Sequence, residues 1–254
     1  MNEKKEHFGY KQEPLIDLPE ESYVVEILHQ FLRVTDLLMK LLLEALCKSD
    51  GLEGGKYNPL KHFSLKKLSD YLKNTCKIEF DVDSNQAQMI TLIKSMQGPR
   101  KKLFFQKLDL SALFPEIMRV EIDENGLPRE YNISPAIEEV IKAYWKIHNI
   151  IREDNAIAYE RRVIESMAAD LMTKFTKVWH VKNITPYLHV TCFHLADQYE
   201  LMKGNLHLYS TEGLEKLNDF TTAQVFRATN KKNGKFLRQL LERDQRLVIL
   251  KQQN

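Results

Sequence analysis

Ser22 to Cys47 reads SYVVEILHQFLRVTDLLMKLLLEALC. Its polar residues Glu26, His29, Gln30, Arg33, Asp36, Lys40 and Glu44 follow one another at steps of 3, 1, 3, 3, 4 and 4. On a 3.6-residue helix that spacing gathers them into one narrow stripe. Almost everything else is Val, Ile, Leu, Phe, Met or Ala, with Thr35 the main exception. Ser22 offers a side-chain oxygen as N-cap. The stretch therefore predicts a helix over 22–47, apolar around most of its girth, which neighbours must cover on several sides. The fold class that follows is mainly α: a helical bundle around this largely buried helix, with at most a few short strands.

Composition agrees. Gly (9) and Pro (8) are together about 7 % of the 254 residues, against roughly 12 % in an average protein. Few tight turns favour long helices over a sandwich or barrel. Hydrophobic residues at 43 % and charged residues at 28 % exclude a wholly disordered or collagen-like chain. Cys47, Cys76 and Cys192 are odd in number and widely spaced, which predicts free thiols in a reducing compartment. The charged start, MNEKKEHFGYKQEP, has no apolar core of a signal peptide. Leu37 to Leu46 carries Lys40 and Glu44 and is too short to span a bilayer. An intracellular protein with no membrane partner is expected, nuclear if it binds DNA.

Outward from the core helix, the chain divides into three expected segments. Residues 1–21 are extended, with Pro14 and Pro19 disfavouring helix before them. Residues 22–133 hold the core helix and a mixed α/β segment. Here Ser64 opens a short helix, Lys77 to Val82 alternates like a strand, and Gly98-Pro99 restarts a helix. A second short strand over Arg119 to Ile122 ends in the turn Asp123-Glu124-Asn125-Gly126. Residues 134–254 are helical. Ser134-Pro135 opens a helix to about Arg152, another spans roughly 156–178, and Thr185-Pro186 opens one closed by Gly204. Two more follow, from Ser210 or Thr211 to about Ala228 and from about Asn233 to Leu250.

Charge is distributed unevenly around a net +2. Between Ser84 and Leu108 stand Lys94, Arg100, Lys101, Lys102 and Lys107 with no acid. Between Arg227 and Lys251 stand eight bases, Lys231, Lys232, Lys235 and Arg238 among them, with two acids. Such stretches suit a phosphate backbone, and equally suit a solvated helix face. No phosphate-cradling glycine motif and no nucleophile elbow occurs. His189 and Cys192 share a helix face, but His194, five from His189, points elsewhere, and no second pair stands at zinc spacing. Packed or surface histidines are the expected outcome there. Glu212, Glu215 and Asp219 share a face in the first turns of a helix, where the helix dipole favours acids.

Two stretches carry a resemblance. Ile184 to Asn230, ITPYLHVTCFHLADQYELMKGNLHLYSTEGLEKLNDFTTAQVFRATN, resembles the C-terminal region of DNA-transposon-derived proteins of invertebrate genomes. Those carry TPYxH, a second His, a G-N/S-L step, and a Ser…Gly…Glu run ending in TN. Val24 to Asp36, VVEILHQFLRVTD, is similar to their V-x-D-x-L-H-x-x-L-R-I segment. The resemblance implies an RNase H-fold transposase with a helical insertion, and a two-metal mechanism in which carboxylates hold Mg²⁺ ions about 4 Å apart on a DNA phosphodiester. It places Glu215 at the last acidic position and Glu26 where the family has Asp, with Asp219 as a further metal ligand. The strand-borne first acid has no counterpart, since only 25 residues precede Glu26. The expectation is thus a truncated RNase H-like domain, a transposase remnant with an incomplete acidic triad, which binds DNA backbone. The alternative is a helical protein–protein interaction module without enzymatic role, its apolar helix 22–47 buried against a partner or a second copy.

Overall fold

In the computed structural model the described residues are 24–52, 58, 61–77, 82–83, 91–92, 98–122, 124–153, 159–216, 218, 222, 241–242 and 245. They belong to two compact units, 1–209 and 210–254. The first is mainly helical and holds both α1 and α5 described below, so helices from the two longer expected segments pack in it. Ser22, the expected cap, lies outside the described residues.

The core helix α1 runs Ile27–Ser49, about five residues later at its start than expected. Glu26, not a serine, holds the N-cap. Its carboxylate accepts from the backbone N–H groups of Leu28 (3.0 Å) and His29 (2.5 Å). The C-terminus closes in a Schellman turn: Leu52 N–H donates to Cys47 O (2.8 Å) and Gly51 N–H to Lys48 O (3.0 Å). Gly51 sits at φ +67°, where a side chain would be strained. Arg33, Asp36, Lys40, Glu44 and Lys48 form the exposed stripe. Gln30 departs from the expected stripe. It is fully buried, and its amide donates to Thr191 Oγ1 at 2.8 Å.

The chain itself encloses α1. Helix α2 (Phe63–Tyr71, continuing as a π turn over Leu72–Cys76), α3 (Gly98–Lys107), α5 (Ser134–Arg152) and α7 (Pro186–Phe193) pack on it, as does the 3₁₀ turn Leu206–Tyr209. Val34, Leu38, Leu42 and Leu46 meet a core built with Leu65, Leu68, Phe104, Ile137, Tyr144 and Leu188, all 1 % exposed or less. Each such side chain contributes about 1.5–3 kcal/mol by leaving water. The apolar girth of α1 is therefore spent inside the protein, and helix 22–47 is not the face a partner would cover.

Ordering of the remaining elements relies on polar clamps. The Asp50 carboxylate accepts from Ser64 N–H and Leu65 N–H, both at 3.1 Å, and so caps α2 from the end of α1. The expected cap Ser64 is instead the second residue of that helix. Two-residue strands β1 (Val82–Asp83) and β2 (Thr91–Leu92) pair antiparallel. Helix α3 begins at Gly98-Pro99 as expected, and α4 (Leu110–Leu113) is capped by Asp109. Glu138 of α5 accepts from the amide and hydroxyl of Ser111 and pairs with Lys142, which holds its carboxyl below the usual range. Strands β3 (Met118–Ile122) and β4 (Pro128–Asn132) make a second antiparallel ribbon. β4 has no counterpart among the elements that the sequence pattern predicts. Among the described residues the strands form these two ribbons only.

Helix α6 (Arg161–Val178) packs on α5, α7 and α8 (Leu195–Leu201). The helix expected from Pro186 to Lys203 is broken at His194, which ends α7 and begins α8 with φ −122°. α8 closes in a Schellman turn whose left-handed position is held by Lys203 (φ +50°), one residue before the expected Gly204; Lys203 N–H donates to Glu200 O (2.9 Å), and Gly204, at φ +81°, donates its N–H to Tyr199 O (2.8 Å). Leu206–Tyr209 forms a 3₁₀ turn where a short extended piece was expected. In the second unit, residues 212–216 are helical. All three cysteines are free thiols. Among the described residues no helix is long and apolar enough to cross a membrane.

One core residue is out of keeping with its surroundings. His148 of α5 is 1 % exposed and stacks on Phe31 of α1 (centroids 4.3 Å, planes 22° apart), with Trp145 at 5.3 Å. Neither ring nitrogen has a hydrogen-bond partner. Burial, then the charges of Arg152 and Lys102, push its pKa down from 6.5 to about 3. The unfolded ring takes up a proton near 6.5 and the folded ring only near 3, so stability is full above that upper value and is lost as pH falls through the window. At about 1.4 kcal/mol per unit of displacement, the loss between pH 7 and pH 4 is on the order of 3 kcal/mol. Urea unfolding at the two pH values is expected to show it. His148→Phe, which keeps the stack, should remove most of the difference and leave the smaller part due to Glu138. An unchanged pH dependence in that variant would contradict the assignment.

Candidate functional site

The sequence-derived site residues fare differently from one another. Glu26 lies at the start of α1 in the first unit, where its carboxylate caps the helix and also meets His29 Nδ1 at 2.6 Å. Both oxygens thus face N–H donors of the first turn, Oε1 that of Leu28 and Oε2 those of His29. This is the work of an N-cap, which typically contributes about 1 kcal/mol. Glu215 is exposed on the helical residues 212–216 of the second unit, and its N–H donates to Thr211 O at 2.9 Å. Asp219 lies outside the described residues. Among the described residues no group of three His, Cys, Asp or Glu side chains gathers as a metal site would.

Of the expected DNA-contacting bases, Lys94, Lys231, Lys232, Lys235 and Arg238 lie outside the described residues. The other four are on α3. Arg100, Lys102 and Lys107 are exposed. Lys101 is not: it is 5 % exposed, and its ammonium points back to α1, reaching Asp36 Oδ1 at 2.5 Å and Leu32 O at 3.3 Å. The physical reason is helical phase. Lys101 shares the inner face of α3 with the buried Phe104 and Phe105, whereas its three neighbours in the basic run stand on the outer arc. Lys101 ties α3 to α1 and has no charge to present to a phosphate.

A cleft of about 450 Å³ opens between α5 and α6, walled by Ile150, Val163 and Met167 and edged by Lys146 and Arg162. Among the described residues that line it there is no carboxylate and no histidine.

The surface feature with the clearest chemical pattern is the β3–β4 ribbon. Its base is fixed. Asn132 Oδ1 accepts from Ile117 N–H (3.1 Å) and Ser134 N–H (3.0 Å), and its amide donates to Pro115 O (2.8 Å). Ile117 beneath it is fully buried. Beyond the base almost every ribbon residue is exposed. Strand side chains alternate between faces. Met118, Val120 and Ile122 form one row, with Val120 59 % and Ile122 68 % exposed. Arg119 and Glu121 form the other and pair with each other at 3.3 Å. Glu121 also stands opposite Arg129 of β4. At the tip Leu127 is 61 % exposed, next to Gly126 at φ +77°.

An apolar row on a two-stranded ribbon has no second layer to bury it, and exposed apolar groups in a contiguous row mark an interaction surface. The two edges differ in kind. β4 opens with Pro128, which has no N–H to offer, and carries Glu130 at its centre. β3 has a full set of backbone donors and acceptors, and its outer edge is paired to no other described strand. The alternation over Arg119 to Ile122 is visible in the sequence, but the exposure of Val120, Glu121 and Ile122 is not, nor is the approach of α1 to β3. No protein-family model, no curated protein and no solved structure matches the chain.

Proposed function

We propose that the chain is a helical interaction module that associates with a second copy of itself through the outer edge of β3, rather than a complete Mg²⁺-dependent transposase. One observation carries this: the exposed edge strand Met118–Ile122 is self-complementary in charge. Two β3 strands paired antiparallel about a two-fold axis at Val120 set Arg119 opposite Glu121 of the other copy, twice. The same register sets Met118 opposite Ile122 and Val120 opposite itself. Opposite charges and apolar pairs directly across a ladder are favourable, and like charges are not. β4 paired on itself would set Glu130 against Glu130, which disfavours the other edge. The result is a four-stranded sheet whose apolar rows adjoin, with the helical body of each copy carrying it. Sedimentation equilibrium over a range of concentrations is expected to show reversible dimers. Glu121→Arg and Arg119→Glu should each weaken self-association at least about tenfold through like charges at the junction. An equimolar mixture of the two variants restores the opposite-charge pairs and should restore the dimer. A wild-type chain that stays monomeric, or variants that dimerise unchanged, would end the proposal.

A second reading is binding to DNA backbone, the role that the resemblance to transposase-derived, RNase H-like proteins implies. Its support is the exposure of Arg100, Lys102 and Lys107 on α3, within a stretch from 84 to 108 that contains no acid. Replacing all three with Ala should lower affinity for duplex DNA. It should also flatten the slope of log K against log salt by about 0.9 for each phosphate that is no longer neutralised. An unchanged slope would contradict this reading, as would the absence of DNA binding by the wild-type chain at low salt.

A further inference from the structure

The break at His194 brings together two residues that an unbroken helix would hold apart. His189 and His194 are five positions apart, which on a continuous helix is about 140° around the axis. In the structure α7 stops at Phe193 and α8 restarts at Leu195. The hinge is held on both sides: His194 N–H donates to Val190 O (3.0 Å), and Gln198 N–H donates to His194 O (3.1 Å). His189 is fixed from the other direction. Its N–H donates to Thr185 O (2.9 Å), and its ring rests on Phe193 with centroids 4.8 Å apart. The two imidazoles meet at 60° with their Nε2 atoms 3.3 Å apart, and both residues are exposed.

That separation matches a metal bite. Two imidazole nitrogens at about 2.0–2.1 Å from a zinc ion and at the tetrahedral angle are about 3.3–3.4 Å from one another. A hydrogen bond between the two rings at this exposed place would compete with water and gain little. It would also have to keep one Nε2 protonated and the other not. A divalent cation of borderline softness satisfies both lone pairs at once, since neutral imidazole is a ligand for Zn²⁺, Cu²⁺ and Ni²⁺. We propose that His189 Nε2 and His194 Nε2 form a two-histidine site for a zinc-class transition-metal ion, with water in the remaining positions. The open positions follow from the absence of any three-residue His, Cys, Asp or Glu group among the described residues. Mg²⁺ and Ca²⁺ are excluded by their preference for oxygen. The site belongs to the α7–α8 corner and is independent of the β3 edge.

Calorimetric titration of the full chain with ZnCl₂ and with NiCl₂ tests this, together with the ring-proton NMR signals of the histidines. One equivalent of Zn²⁺ should bind and shift the signals of His189 and His194 together, and a chelator should reverse the shift. Ni²⁺ should bind at the same place, and MgCl₂ should give no change. His189→Gln and His194→Gln should each lower Zn²⁺ affinity at least about tenfold, a cost of about 1.4 kcal/mol or more. His180→Gln, at an exposed histidine just before the 3₁₀ turn Val181–Asn183, should leave it unaltered. Both rings are exposed, so the variants should retain the wild-type circular dichroism. No Zn²⁺ binding up to about 1 mM, where a binding free energy would be only about −4 kcal/mol, would overturn the proposal. So would binding that survives either substitution at full strength.

Discussion

A helix that is apolar around most of its circumference has to be enclosed, and the placement of the other described elements in the first unit follows from enclosing α1. Leu41, Leu42 and Leu43 follow one another at about 100° steps around the axis and are all buried, so no single flat partner could cover them together. The solution uses helices from both sides of the chain's midpoint. α2 and α3 follow α1 closely in sequence, whereas α5 and α7 return from more than 80 residues away. The one open line, from Arg33 to Lys48, is as narrow as the charged stripe that marks it. Enclosure also explains where polar groups are tolerated inside. Gln30 reaches Thr191 through its amide nitrogen, and Lys101 reaches Asp36; each binds a distant helix to α1.

What is legible in the sequence depends on residues close in the chain. The stripe of α1 and the helix start at Gly98-Pro99 each rest on local stereochemistry, and each stands in the structure; the left-handed close of α8 falls one residue early, on Lys203. What stays hidden depends on long-range geometry. Gln30 looks like part of the solvent stripe until Thr191, 161 positions later, accepts its amide. Lys101 looks like one of a basic run until the phase of α3 turns it inward. Ser64 looks like a cap, but the carboxylate that does the work belongs to Asp50, 14 residues earlier. Glu26 looks like a polar residue within a helix and is the residue that starts it, because the helix begins later than its apolar pattern does. The His194 break is illegible for another reason: no Gly or Pro marks it, so the local pattern reads as one helix.

The interior thereby leaves chemistry to the margins. The buried ionisable groups serve packing, as His148 does between Phe31 and Trp145, or tie elements together, as Glu138 does between α4 and α5. The features that remain to meet something else stand on the surface: an edge strand with alternating apolar and charged rows, and two imidazoles set at a metal's bite. Both are side effects of how the chain turns around its central helix. The ribbon is held at its base by Asn132 where the chain leaves α4 to begin α5, and the histidines meet where α7 must stop to let α8 pack on α6.

Native-state hydrogen exchange on the amides of α1 tests the enclosure most directly. If the chain's own elements cover this helix everywhere but along its charged stripe, the amides from Val34 to Leu46 can exchange only when the first unit unfolds as a whole. Their opening free energies should then equal the stability measured by denaturant, and should not depend on protein concentration. Opening of α1 several kcal/mol below the global value, or protection that rises with concentration, would mean that the helix is covered from outside and would contradict the account.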